Sequence, residues 1–359
     1  ADAAVRWVKR LINKGDYDRA IQVARSSAME RLVTPGGIWA RVDLKAWEAL
    51  ALAYQGNLGE ARGLLDEAVS LLNDLEPKSV REKGIRARVY NNLGYVLRVL
   101  GCYFGAINAY ETALSVWREI GLRVEEANTL NNLAFAQAEV GRLDVAKRLA
   151  ETALALREEA GPRSPVGLSL NTLAHIAIRA NLFVTAREQA ESACGLFQLL
   201  GDRRGEGLAK TALAEALRRW GEQKGKTDSL QEATRVAGEA VEIFESLPAM
   251  DRVVEALIEL GCAHRDLAKV IRGPLRRDQE RDASRITETV KENAIKGQQA
   301  LRRAADIAKS RGIVGRRIDA LVNLAWLHYY VLEDEQALSI LQEARELIPQ
   351  EFYITERGR

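Results

Sequence analysis

The segment GEQKGKT, residues 221–227, contains the residue types of a phosphate-binding loop. Such a loop has the pattern GxxxxGK[ST], with a strand before it and a helix after it, so that backbone N–H groups converge on the phosphates. Only three residues separate Gly221 from Gly225, and the preceding Leu213 and Leu217 have helical spacing. We therefore predict a polar loop between two helices rather than a nucleotide site.

Residue types that serve in catalysis or metal binding are few and scattered. The three cysteines and three histidines are widely spaced, and the sequence has no HExxH motif and no Ser or Cys nucleophile with a partnered His. Single cysteines argue against a disulfide framework or a zinc site, and they are typical of the reducing cytoplasm. We predict a cytoplasmic, non-enzymatic protein that needs no metal and no cofactor.

Charge and hydropathy exclude two classes of partner. The formal net charge is only +2, so no global field attracts nucleic acid or an anionic membrane surface. No apolar run is long enough to span a bilayer. We predict neither a nucleic-acid partner nor a membrane partner.

Amide side chains that suit peptide binding recur at a fixed interval. Asn91, Asn131 and Asn171 are spaced 40 residues apart. An amide both donates and accepts hydrogen bonds, so such a ladder can pair with the backbone of a bound extended peptide. The alternative is structural, in which the Asn side chains bond neighbouring helices and set the repeat register.

Aromatic and basic side chains share the predicted helix face of this ladder. Tyr95 and His175 can anchor a ligand, or they can form a partly buried contact between repeats. A basic region that suits an acidic partner is predicted from Arg179, Arg218 and Arg219, with Arg203 and Arg204 in the preceding turn, although a solvated surface is the alternative. Trp326 and the neighbouring tyrosines either anchor a ligand or close the end of a groove. The predicted ligand-binding residues are Arg88, Asn91, Tyr95, Arg98, Asn128, Asn131, Phe135, Asn171, His175, Arg179, Arg218, Trp326 and Tyr329.

These side chains belong to a repeated pattern. Three segments align without gaps, which are NNLGYVLRVLGCYFGAINAYETAL from Asn91, NNLAFAQAEVGRLDVAKRLAETAL from Asn131 and NTLAHIAIRANLFVTAREQAESAC from Asn171. A fixed period of this size indicates stacked repeats rather than separate globular domains.

Each aligned segment has the pattern of two helices. Gly94 and Ala134 keep a small residue where a partner helix must approach closely. The first helices are predicted to stop at Gly101, Gly141 and Asn181, because these residue types suit a left-handed C-terminal cap. A second helix follows at once, so each unit is a helical hairpin.

The same template extends over the chain and predicts eight hairpins in a single solenoid, residues 1–359. The seventh is degenerate and carries an insertion at 271–293, for which we expect a solvated charged helix, with an interaction arm as the alternative. The hairpins are predicted at about 1–30, 43–75, 85–120, 125–160, 166–200, 206–247, 251–312 and 317–348.

A family resemblance covers nearly the whole chain. The spacing of small, aromatic and leucine positions resembles the tetratricopeptide repeat, on the residues Gly94, Gly101, Tyr103, Ala106, Tyr110 and Ala113. The period exceeds the usual repeat of about 34 residues and is similar to that of kinesin light chains and of the sensor modules in signal-transduction ATPases with numerous domains (STAND proteins). Segments such as IGLRVEEANTLNNLA look most like the STAND sensors. The resemblance implies an all-α, right-handed superhelical solenoid with first helices lining a concave groove.

The same resemblance implies a function. The resemblance to STAND sensor modules implies that the chain binds a protein, a peptide or a small effector in the groove. Binding would then regulate an N-terminal NTPase or effector in transcriptional or immune signalling. The chain begins ADAAV without Met, so we expect it to be a piece of a longer protein. The alternative is a free-standing scaffold that joins protein partners.

Overall fold

The computed structural model describes residues 2–29, 37–161, 165–247, 250–273 and 287–348. Within these ranges the chain forms sixteen α-helices and no strand. The predicted all-α class of tetratricopeptide-like hairpins is therefore confirmed.

Ten helices occupy the first part of the chain. Consecutive helices pack against each other throughout this stretch. They are α1 Asp2–Asn13, α2 Tyr17–Met29, α3 Gly37–Tyr54, α4 Leu58–Asn73, α5 Val80–Val99, α6 Tyr103–Ile120, α7 Arg123–Glu139, α8 Leu143–Glu159, α9 Val166–Arg179 and α10 Phe183–Leu200.

Six further helices follow. They are α11 Arg203–Lys224, α12 Thr227–Glu245, α13 Met250–Arg272, α14 Glu288–Ser310, α15 Val314–Tyr330 and α16 Asp334–Glu346.

The chain divides into two compact units. Unit 1 comprises 1–206 with 245–251, and unit 2 comprises 207–244 with 252–359. A single solenoid over the whole chain therefore stays a prediction.

Local sequence explains where the helices begin and end. At the start of α5, the Ser79 hydroxyl accepts from the Glu82 N–H while the Glu82 carboxylate accepts from the Ser79 N–H, a capping box. The predicted stops of the first helices are confirmed, since Gly101, Gly141 and Asn181 have positive φ values of 82°, 80° and 59°. This left-handed turn lets the second helix follow within two residues.

Hairpins pack through complementary residue sizes. Gly94 on α5 lies under the ring of Tyr110 on α6, where an added Cβ would come within 2.6 Å of the ring. One repeat later the same two positions hold Ala134 and Ala150, which share a core cluster. At the α5–α6 contact a large residue is thus matched by a glycine, whereas α7 and α8 pair two alanines.

Neighbouring first helices pack directly on one another in unit 1. α3 contacts α5, α5 contacts α7, and α7 contacts α9. Among the described helices, α4, α6 and α8 make no comparable contacts with each other. The first helices therefore form one continuous layer on one side of unit 1. We call the surface that α3, α5, α7 and α9 present on this side the inner face of unit 1.

Two predicted loops have different outcomes. The GEQKGKT segment joins α11 to α12 as predicted, but its first four residues, 221–224, continue α11, so the loop consists only of Gly225 and Lys226. Lys226 Nζ lies 4.7 Å from the Trp220 ring. Most of the predicted insertion at 271–293 lies outside the described residues, namely 274–286, and α14 begins at Glu288.

None of the described helices is long and apolar enough to cross a membrane.

Candidate functional site

A line of aromatic rings runs from the start of α2 onto the inner face of unit 1. The Tyr54 ring, at the end of α3, lies 5.5 Å from the ring of Tyr17 and 5.5 Å from the ring of Tyr95, measured between centroids. Further along, Phe135 on α7 stacks on His175 of α9 with 4.1 Å between centroids and an interplanar angle of 11°. Successive repeats therefore contribute rings that contact one another.

Arg98 joins the two halves of this line. Its guanidinium carbon lies 5.2 Å from the Tyr95 centroid and 4.7 Å from the Phe135 centroid. Such cation–π contacts stabilise a cation between rings. We name the resulting row the inner line, which consists of Tyr17, Tyr54, Tyr95, Arg98, Phe135 and His175.

His175 ends the inner line in an ion-pair geometry. Its Nε2 lies 2.6 Å from Oε1 of Glu139, the last residue of α7. The side chains are partly exposed, at 17% for His175 and 15% for Glu139. The pair orients the imidazole against Phe135, so its first effect is to position a ring.

No cluster of three metal-ligating side chains exists in the part of the chain that the structure describes.

The three members of the predicted Asn ladder have different surroundings. Asn91 Oδ1 accepts a hydrogen bond of 3.1 Å from the Thr129 hydroxyl, so this amide links α5 to α7. That contact agrees with the structural alternative at this position. The Oδ1 atoms of Asn131 and Asn171, by contrast, are buried and have no hydrogen-bond donor within the described structure. Two acceptors on neighbouring first helices therefore lack partners.

Other predicted residues of unit 1 have internal partners or face solvent. Arg88 pairs with the buried Asp43. Asn128 Oδ1 accepts a 2.9 Å hydrogen bond from Arg157, whose pKa burial lowers to about 10. Arg179 is exposed near the end of α9. The structure thus brings Tyr95, Arg98, Phe135 and His175 together and leaves these three outside the inner line.

Three residues of this region were not predicted from the sequence, since Tyr17 and Tyr54 extend the inner line and Glu139 holds His175. Arg204, which was predicted only as part of a basic region, lies in the first turn of α11, 4.2 Å from the Tyr54 centroid. Tyr54 stands two residues before its turn glycine, one register position beyond Arg98. The predicted ligand-binding face was taken from Arg88, Asn91, Tyr95 and Arg98 of α5, and the position that corresponds to Tyr54 is not among them.

In unit 2, the predicted ligand residue Arg218 is only 6% exposed and has internal partners. Its Nη2 donates to Glu259 Oε2 at 3.2 Å, and its Nη1 donates to Asp266 Oδ2 at 2.9 Å. Asp266 also accepts from Arg265 at 2.8 Å. A cation with two carboxylate partners is satisfied within the fold, which favours a structural role for Arg218.

This buried network gives a pH-dependent stability. Burial raises the pKa of Glu259 to about 7, above the value of about 4.5 expected in the unfolded chain, although Arg218 opposes the shift. Because the folded state holds the proton more tightly, the stabilising contribution is present below pH 4.5 and is lost as the pH rises toward 7. We expect the free energy of unfolding of unit 2 to fall over that window.

Urea unfolding of wild type and Glu259→Gln at pH 5 and pH 8 measures this effect. The amide cannot ionise, so the variant should lose most of the fall in stability, whereas the exposed Glu111→Gln control should keep it. An equal fall in wild type and Glu259→Gln would contradict the assignment to Glu259.

Trp326 and Tyr329 lie at the other end of unit 2. They line an open cavity of about 440 Å³ between α15 and α16, together with Leu338 and Leu341. Trp326 is 48% exposed, and its ring contacts that of Tyr329 at 5.8 Å. The surface is apolar and accessible, so it is compatible with both predicted roles.

Residues 85–159, which lie in the two hairpins α5–α8, match the tetratricopeptide repeat family by sequence. Over nearly the full length, the chain is similar to solved structures of helical repeat proteins. A Rap protein complexed with competence and sporulation factor is 14% identical, with a TM-score of 0.60, covering 96% of this chain and 97% of the Rap chain.

Two further structures are similar. The apo form of the quorum sensor NprR from B. thuringiensis is 12% identical, with a TM-score of 0.59, covering 97% of this chain and 87% of NprR. The apo form of RapI is 14% identical, with a TM-score of 0.51, covering 96% and 97%. At these identities the similarity shows the fold alone. No curated protein sequence is significantly similar to this chain.

Proposed function

We propose that the inner face of unit 1 binds a peptide or an extended segment of a protein. The observation that carries the proposal is the inner line, in which side chains from successive hairpins form one continuous row of rings around Arg98. Aromatic side chains supply large contact areas at low entropic cost and are enriched among residues that dominate binding energies. A row that crosses several repeats suits an extended ligand better than a compact one.

The structural comparisons also support this choice. One similar structure is that of a Rap protein complexed with competence and sporulation factor, and another is a quorum sensor. A fold of this type is therefore compatible with ligand-dependent signalling. The fold alone does not transfer a ligand, which is why the proposal depends on the inner line.

The regulatory part of the proposal is that binding controls an N-terminal NTPase or effector. It rests on the resemblance of the repeats to STAND sensor modules. Sequencing the coding region upstream of Ala1 tests it, since a strand followed by a true phosphate-binding loop would support the sensor. A start codon with only a short leader would contradict this part and favour a scaffold.

Phe135→Ala tests the binding surface. Peptides selected from a random phage-displayed library on the wild-type chain should bind the variant at least tenfold more weakly, since hot-spot aromatics contribute more than about 1.4 kcal/mol. Fluorescence polarisation of labelled peptides measures the dissociation constants. The control is Phe104→Ala, which removes an exposed phenylalanine from α6 and should change binding less than twofold.

Circular dichroism melts establish that both variants fold. Peptides that bind wild type and Phe135→Ala equally would place the binding surface elsewhere. Failure to select any peptide would contradict the proposed function itself.

A further inference from the structure

Two arginines occupy the same position in their repeats. Arg98 on α5 stands four residues after the small core residue Gly94, and Arg218 on α11 stands four residues after the small core residue Ala214. Both side chains are buried, with 9% and 6% of their surfaces exposed. Their surroundings can therefore be compared directly.

The next first helix neutralises one arginine and leaves the other unpaired. α13 supplies Arg218 with Glu259 and Asp266. α7 instead presents the Phe135 ring to Arg98, and its terminal carboxylate, Glu139, pairs with His175.

Among the described residues, no hydrogen-bond acceptor pairs with the guanidinium of Arg98. Its Nε is enclosed and has no hydrogen-bond partner, and within the described structure no carboxylate forms an ion pair with it. Its contacts are the faces of Tyr95 and Phe135. Burying a charge without a counterion is costly, and cation–π contacts offset only part of that cost. The arrangement leaves a cation that an anionic group can still pair with.

The chemistry of a guanidinium specifies that group. Its planar set of N–H donors matches a carboxylate in two parallel hydrogen bonds. The inner line continues on both sides of Arg98, toward Tyr54 in one direction and His175 in the other. If a ligand covers the whole inner line, its middle residues rather than its ends therefore lie against Arg98.

We infer that Arg98 is a specificity-determining residue that pairs with an internal Asp or Glu side chain of the bound peptide, flanked on both sides by apolar or aromatic residues. This inference rests on the proposed function of the inner face. The flanking residues of the peptide contact the rings of Tyr54 and Phe135, which are partly exposed.

The test uses the full chain and the phage-displayed random peptide library. We expect peptides selected by the wild type to share an acidic residue with apolar neighbours. Arg98→Gln should bind these peptides at least tenfold more weakly than the wild type. Arg98→Lys should have an intermediate affinity, because lysine keeps the positive charge but lacks the planar pair of N–H donors. Arg187→Gln, an exposed position on α10, is the matched control and should leave affinity unchanged within twofold.

Changes in the peptide separate the possible sources of the carboxylate. Replacing its internal Asp or Glu by the amide should weaken wild-type binding at least tenfold and Arg98→Gln binding less than twofold. Amidating the peptide C-terminus should have no effect. A large effect of amidation would assign the terminal carboxylate to Arg98 and overturn the internal assignment.

The remaining outcomes distinguish this inference from the proposed function. Peptides that depend on Phe135 but lack a shared acidic residue, or that bind Arg98→Gln as well as wild type, would overturn the role of Arg98 and leave the binding surface intact. Selection of no peptide, or of peptides insensitive to Phe135→Ala, would overturn both.

Discussion

Arg218→Ala is expected to lower the free energy of unfolding of unit 2 by about 3–5 kcal/mol, the usual cost of removing one partner from a buried ion pair. The substitution leaves Glu259 and Asp266 buried without the cation that both contact. Asp266 keeps Arg265, so the larger penalty falls on Glu259. Urea unfolding measures the change, and hydrogen exchange of α11 and α13 localises it to unit 2.

Arg98→Ala is the matched comparison, since both arginines hold the same register. It removes cation–π contacts worth about 0.5–2 kcal/mol and uncovers no buried carboxylate. We therefore expect the smaller loss of stability at Arg98 and the larger loss at Arg218. Equal losses would contradict the difference in pairing on which the inference about Arg98 depends.

Tyr110→Ala is expected to cost about 3–5 kcal/mol in unit 1, the range for deleting a buried aromatic ring. Tyr110 is fully buried in the core cluster between α5, α6 and α7, and its ring lies over Gly94. Gly94→Ala should also destabilise, by about 1–3 kcal/mol, because the new methyl group would overlap the ring. Chemical denaturation measures both losses.

The double variant tests whether size complementarity causes these effects. Gly94→Ala with Tyr110→Ala recreates the combination that α7 and α8 use at Ala134 and Ala150. The added methyl group then fills part of the cavity, so the double variant should be no less stable than Tyr110→Ala alone. Losses that simply add would mean that the two positions do not share one packing site.

Prediction from sequence succeeded where it depended on local pattern. Helix period and cap chemistry are local properties, so the segments from Asn91, Asn131 and Asn171 placed the first helices and their stops at Gly101 and Gly141. The interhelical loop in GEQKGKT was predicted for the same reason. Tyr54 was missed because its position on the face is shifted by one residue relative to the α5 template.

The sequence by itself determined that the chain is a series of helical hairpins, because a fixed period, small residues at close contacts and glycine caps act within one repeat. Only the tertiary structure decided which predicted residues are available to a ligand. Arg98 and Arg218 have the same residue type and the same register, and the pattern assigns them the same face. Their difference arises from the next first helix, which presents Phe135 to one and two carboxylates to the other. Such pairing depends on side chains about 40 residues away, and no pattern within a single repeat records it.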